Sequence, residues 1–103
     1  MQRADFDALN LPEEPGVYQF RNGRKVLYVG KATSLRDRVR SYFSKDIVDA
    51  RSTAIEAMVA EATTITWETT ESVLEALILE ANTIKKIEPP YNIQSKDNKS
   101  FNY

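Results

Sequence analysis

A small α+β domain is what this 103-residue sequence predicts: a three-stranded sheet with an antiparallel hairpin, and helices packed on it in the order β-β-α-α-β-α. Three observations carry the prediction. Two alternating runs of β-branched and aromatic residues flank Asn22-Gly23, the strongest short-range hairpin signal. Stretches beginning near residues 34, 48 and 71 repeat apolar residues at helical spacing. A further β-rich run, 63–69, separates the last two of these. Such a mixture layers as helices on one small sheet.

Residues 1–10 form a lead-in in which Ala4, Phe6, Ala8 and Leu9 leave room for a short helix. The prolines of Leu11-Pro12-Glu13-Glu14-Pro15 exclude a regular element. Gly16-Val17-Tyr18-Gln19-Phe20 reads as strand one and Lys25-Val26-Leu27-Tyr28-Val29 as strand two. With Asn22-Gly23 as the two-residue loop, Arg21 pairs with Arg24, Tyr18 opposes Leu27 and Tyr28 opposes Val17. The two tyrosines are then expected on opposite faces, unless a bulge resets the register. Gly30 is expected to end the strand.

Thr33 or Ser34 can cap the next helix, with Asp37 completing a weak capping box. Leu35, Val39, Tyr42 and Phe43 give it an apolar stripe. Arg38 and Tyr42 share one edge of that stripe, with Lys31 beside them if the helical twist begins that early, and Arg36 and Arg40 share the other. Residues 48–62 repeat Ile55, Met58, Val59 and Ala62 as a second helix, and 63–69 make strand three. Thr70 is the expected cap of a last helix over 71–86. Its apolar face would be Val73, Leu74, Leu77, Ile78, Ala81 and Ile84; Lys85-Lys86 suit its C-terminus, and Pro89-Pro90 stop it. The remainder, 93–103, is a polar tail, and the whole of 1–103 is expected to be a single domain.

Composition narrows the chemistry. The sequence has no cysteine and no histidine, which removes disulfides, thiolate nucleophiles, an imidazole base and Cys/His zinc sites. No stretch is apolar and long enough to span a membrane. The net charge of −1 conceals a sharp asymmetry. Residues 21–45 carry eight bases against one acid, and 46–80 carry eight acids against one base. That pattern suits either a local anion site or a basic helix that pairs with the acidic middle of the chain.

Glu80 stands out among the acids. It lies at the border of the last helix's apolar face, and its neighbours three and four residues away are Ala76, Leu77, Thr83 and Ile84. A half-buried carboxylate there needs water, a distant cation or a metal; a solvated edge glutamate is the plainer reading. Gly30-Lys31 lacks the flanking residues of a phosphate-binding P-loop, and no carboxylate pair suggests a glycosidase.

Gly16-Val17-Tyr18 followed by Tyr28-Val29-Gly30 resembles the paired tripeptides of the GIY-YIG nucleases, with valine for isoleucine in both halves. Together with Leu35-Arg36-Asp37-Arg38-Val39-Arg40-Ser41-Tyr42-Phe43, Leu77-Ile78-Leu79-Glu80-Ala81-Asn82 and Pro90-Tyr91-Asn92, the pattern is similar to the N-terminal nuclease domains of the UvrC excinuclease subunits. The resemblance covers residues 11–103. It implies a metal-dependent endonuclease that cuts double-stranded DNA on the 3′ side of a lesion, in the bacterial cytoplasm, in partnership with UvrB.

Carried over by position, the site would comprise Tyr18, Tyr28, Lys31, Arg38, Tyr42 and Asn92, with Gly16 and Gly30 as motif glycines. Glu80 would be the sole protein ligand of one Mg²⁺ or Mn²⁺. Arg38 would neutralise phosphoryl charge, while Tyr42 and Asn92 would position water and backbone. Tyr18 or Tyr28 would act as base, its pKa lowered by cations such as Lys31. Arg36, Arg40, Lys96 and Lys99 are candidate contacts to DNA phosphates. The tail Lys96-Asp97-Asn98-Lys99-Ser100 departs from the family only outside these positions. Since UvrC proteins continue into further domains, this chain is expected to be their monomeric N-terminal domain. A stand-alone structure-specific nuclease and a non-catalytic docking module are the alternatives.

Overall fold

The computed structural model describes residues 3–43 and 53–92. The elements run α1 (Arg3–Asp7), β1 (Gly16–Asn22), β2 (Lys25–Ala32), α2 (Leu35–Ser41), α3 (Thr53–Glu61), β3 (Thr64–Thr69) and α4 (Val73–Ile87). The three strands form one sheet in the order β2-β1-β3, with β1 antiparallel to both neighbours. The expected α+β layering is present, with the short lead-in helix α1 added in front. The part of the expected 48–62 helix before Thr53 lies outside the described residues, as does the 93–103 tail.

Two cores flank the sheet. On one face Tyr18, Phe20 and Leu27 pack with Leu35, Val39 and Tyr42 of α2 and its end, with Ile55 and Met58 of α3, and with Phe6 and Leu11. The other face is smaller: Val17 and Val29 meet Ala76 of α4, with Val26, Leu79 and Ile84 partly buried around them. Ser34 caps α2, its hydroxyl accepting from the Asp37 amide. Leu35, Val39 and Tyr42 are buried as their spacing predicts.

Three details differ from the sequence reading. First, Asn22 pairs with Lys25, so the two-residue loop is Gly23-Arg24 rather than Asn22-Gly23. Gly23 has φ +61° whereas Arg24 is not in the left-handed region, the pattern of a turn needing glycine at its first central position. Secondly, β2 continues through Gly30 to Ala32, so Lys31 belongs to the strand and not to a helical turn. Thirdly, α4 is capped by Ser72, whose hydroxyl accepts from the Glu75 amide, while the Thr70 hydroxyl donates to the Ser72 carbonyl. Thr70 thus shapes the approach and leaves the capping to Ser72.

The expected apolar face of α4 is also corrected. Its inward residues are Ala76, Leu79 and Ile84, whereas Val73, Leu74, Leu77 and Ile78 are exposed. A small residue at the centre of the contact lets the helix lie close on Val17 and Val29. The seam this creates lies to one side of the helix's most apolar stripe.

Candidate active site

The register of the hairpin decides which side chains meet. Beyond the turn, Arg21 pairs with Val26, but Phe20 pairs with Tyr28 and Tyr18 with Gly30, so Leu27 is an extra residue in β2. Moving the turn by one residue leaves the facing of the strands unchanged; the extra residue reverses it. Tyr28 therefore projects to the same face as Phe20 and Tyr18. The expectation that Tyr18 and Tyr28 point apart, with Tyr18 opposite Leu27 and Tyr28 opposite Val17, is overturned by this bulge.

The two motif glycines make the approach possible. A Cβ on Gly30 would overlap the Tyr18 phenol, and one on Gly16 would overlap the Glu68 carbonyl of β3. Gly30 thus opens a passage for the Tyr18 ring across β2, and Gly16 lets β3 close against β1. Neither glycine has a left-handed backbone, so both are needed for space.

Three tyrosines gather in that passage. The Tyr18 and Tyr42 hydroxyls share a 2.6 Å hydrogen bond, their rings pack edge to face, and the Tyr28 ring stands 6.5 Å from that of Tyr42. The Arg38 guanidinium lies 5.9 Å from the centre of the Tyr42 ring, within cation–π range. Burial pushes the pKa of Tyr18 above its ordinary value, against the lowering effects of its bond to Tyr42 and of Arg38. Burial likewise raises Tyr28, helped by Tyr42 and by the Glu80 carboxylate. The expectation of a phenol acidified by Lys31 is therefore wrong for both, because desolvation of a phenolate outweighs the cations nearby. For Arg38, burial works against the charge, but the oxygens of Tyr18, Tyr42 and Tyr28 outweigh it and raise the guanidinium pKa.

On the α4 side, Lys31 Nζ lies 3.8 Å from Glu80 Oε1, with the Glu80 side chain only 19% exposed. Glu80, with no cation three or four residues away on its own helix, finds one on β2. At that separation the pair is an ionic contact outside hydrogen-bond length, and the carboxylate keeps its lone pairs for another ligand. Among the described residues no group of three or more His, Cys, Asp or Glu side chains is placed to hold a metal ion. Any ion here would rest on a single carboxylate and keep most of its water, as Mg²⁺ does. Lys31 and Arg38 together line a groove of about 470 Å³ with Thr33, Ser34, Asp37, Ser41 and Val73.

Asn92 holds the edge of β2. The Val29 N–H donates to its Oδ1 at 2.7 Å, and its Nδ2 donates to the Val29 carbonyl at 2.9 Å. One side chain thus completes the unpaired edge of β2 between Tyr28 and Gly30. The expected positioning of backbone by Asn92 is present in this form. Tyr42, fully buried with its hydroxyl on Tyr18, positions another side chain. Arg36 pairs with Glu13 of the segment before β1 on the exposed surface, and Arg40 is exposed on α2. Lys96 and Lys99 lie outside the described residues. Sequence reading missed the hydroxyls of Thr33 and Ser41 as groove residues; the place of Thr33 between Lys31 and Arg38, and of Ser41 one helical turn after Arg38, was the available signal.

A family model for the UvrC-like GIY-YIG domain matches residues 14–93. The UvrABC system protein C of Haloarcula marismortui is 53% identical over 96 residues, covering 89% of this chain and 16% of that protein. Its counterpart from Desulforudis audaxviator is 50% identical over 95 residues, covering 91% of this chain and 15% of that protein. This chain therefore spans about a sixth of the length of its curated relatives. Among solved structures, the GIY-YIG N-terminal endonuclease domain of UvrC from Thermotoga maritima, bound to magnesium as its catalytic divalent cation, is 37% identical with a TM-score of 0.74. It covers 88% of this chain and 98% of that one. Point mutants of the same domain, with a tyrosine changed to phenylalanine or an asparagine to alanine, are also bound to the divalent cation. The family model covers most of the chain and relatives are about half identical to it, and the chain belongs to the UvrC-like GIY-YIG domain family.

Proposed function

We propose that this domain is a metal-dependent endonuclease that hydrolyses a phosphodiester bond of duplex DNA on the 3′ side of a lesion, working with UvrB in the cytoplasm and acting as a monomer. The observation that carries the reading is the convergence of Arg38, Lys31 and Glu80 beside the Tyr18–Tyr42–Tyr28 cluster on one edge of β2. Cations with a lone carboxylate suit a phosphodiester better than any neutral substrate.

Glu80 would hold one Mg²⁺ or Mn²⁺, its carboxylate being accessible and only loosely engaged by Lys31. When bound, the ion supplies Lewis-acid polarisation of the phosphate and stabilises the departing 3′ oxygen. The chain's own residues do the rest. Arg38, kept charged by the surrounding phenols, donates to the phosphoryl oxygens as negative charge builds on them. Lys31, on the rim of the same groove, draws the phosphate in. Tyr28 is the less buried of the two motif tyrosines, whereas Tyr18 is 1% exposed with its hydroxyl committed to Tyr42. Tyr28 is thus the phenol that meets the attacking water, and with its proton held by burial it orients that water by hydrogen bonding. Tyr18 and Tyr42 fix its position and that of Arg38. Arg40, Lys96 and Lys99 would add phosphate contacts outside the groove.

The test is nicking of a lesion-containing duplex, with and without Mn²⁺ and UvrB, by the wild type, Glu80→Ala and Arg38→Ala. Loss of metal-dependent cleavage in Glu80→Ala is expected. Arg38→Ala should lower the single-turnover rate by on the order of 10²–10³, the cost of one charge-stabilising donor, with the circular dichroism spectrum unchanged. Full metal-dependent cleavage by Glu80→Ala would sink the reading. Cleavage independent of UvrB would select a stand-alone nuclease.

A further inference from the structure

Helix α4 carries a second surface that the phosphate site does not use. Val73, Leu74, Leu77 and Ile78 are 47%, 65%, 45% and 53% exposed, and their spacing places them on one stripe of the helix. The helix has already satisfied its inward side with Ala76 against Val17 and Val29. Contiguous exposed side chains of this size mark an interaction site more often than chance surface. Beside the stripe runs a groove of about 730 Å³ between α4 and the end of β3. Ile78 and Leu79 form its apolar wall, while Glu14, Glu68, Glu71 and Glu75 ring it, with no lysine or arginine among its lining residues.

We propose that this apolar stripe, together with the acid-ringed groove beside it, docks an amphipathic helix of a protein partner whose apolar face is flanked by lysines or arginines. The charge decides the occupant. Four carboxylates repel a nucleic-acid backbone and favour a cationic flank. A second copy of this domain is a poor fit: its basic helix α2 turns Leu35 and Val39 into its own core and has no apolar face left to offer. A helix suits the stripe because adjacent apolar ridges on α4 can accept interdigitating side chains at the same spacing. At one end Val73 also lines the groove that contains Lys31 and Arg38, so the docked partner would sit against the phosphate site without covering it.

The test is a titration followed by amide chemical shifts. The probe is a synthetic helical peptide with leucines on one face and lysines on both flanks, compared with the same peptide carrying glutamates for the lysines. The lysine peptide should give saturable shifts centred on Glu71, Leu74, Glu75 and Ile78 and reaching Glu14 and Glu68. The glutamate peptide should bind at least tenfold more weakly, and Glu71→Gln with Glu75→Gln should remove most of that preference. Leu74→Ser with Ile78→Ser, at exposed positions that leave the fold intact, should weaken the lysine peptide at least tenfold. Equal binding of the two peptides, no saturable binding, or shifts centred on α2 would overturn the proposal. Concentration-dependent shifts at residues 73–78 without peptide would overturn it in favour of self-association.

Discussion

Asn92→Ala removes the side chain that completes the edge of β2 at Val29. Two hydrogen bonds are lost, at 2.7 and 2.9 Å. Each is worth about 0.5–1.5 kcal/mol net, for a total of about 1–3 kcal/mol. Both are partly buried, so water replaces some of what is lost, and a value of about 1–1.5 kcal/mol is expected. Urea unfolding followed by Trp67 fluorescence measures the sum. Amide exchange at Val29 reads the local effect, since its protection should fall by more than the global loss of stability allows. Asn92→Asp separates shape from chemistry: it keeps the acceptor for the Val29 N–H but sets an oxygen against the Val29 carbonyl. It should therefore do no better than alanine at neutral pH. Unchanged Val29 protection and unchanged stability in Asn92→Ala would refute the edge-holding role. A fall in nicking alone would then assign Asn92 to the substrate.

Gly30→Ala should destabilise the domain by about 1–3 kcal/mol, as overpacking does, because its Cβ must displace the buried Tyr18 ring; calorimetry checks it, and unchanged melting would show that the ring has room to move. Alkaline stability follows from the tyrosines. Tyr18 and Tyr28 titrate higher in the fold than the ordinary value near 10. Below that pH both states hold the protons and stability is flat; above it the unfolded chain ionises first. Each tyrosine then costs about 1.4 kcal/mol per pH unit until its folded pKa is reached. Tyr18→Phe should reduce that slope in urea titrations above pH 10, though it starts from a lower stability through loss of the bond to Tyr42.

The elements were largely legible because each has a local cause. The stripe of Leu35, Val39 and Tyr42 finds its core, Ser34 caps its helix, and the β-rich run after Thr63 becomes β3. Reading failed where the cause is tertiary. Asn22-Gly23 marks a turn but does not say which residue sits at its first central position, and no pattern in Lys25-Val26-Leu27-Tyr28 announces the bulge. The face of α4 was misjudged for a similar reason. Helical spacing finds the most apolar stripe, whereas the sheet accepted the side whose Ala76 permits close approach. The acidity of the tyrosines was misjudged because charge can be counted in a sequence and desolvation cannot. Glu80 was legible as a residue in need of a distant partner, but the identity of that partner, Lys31, required β2 to extend beyond Gly30.

The misread register bears directly on how the site is built. Tyr18 crosses β2 because Gly30 lies opposite it, and Gly30 lies opposite it because Leu27 is an extra residue. The same extra residue brings Tyr28 to the face of Tyr18. Continuation of the strand past Gly30 carries Lys31 to Glu80, and Asn92 holds the strand at Val29. Register, passage and edge thus form one device, and a change in any part moves phenols and cations together. Substitutions at Gly30, Tyr18 and Asn92 should therefore combine non-additively, each single change already costing much of what the pair costs. Two tripeptides ten residues apart specify little by themselves; joined by one bulge, they bring the phenols beside Arg38 and its groove, with the Glu80 carboxylate against Lys31.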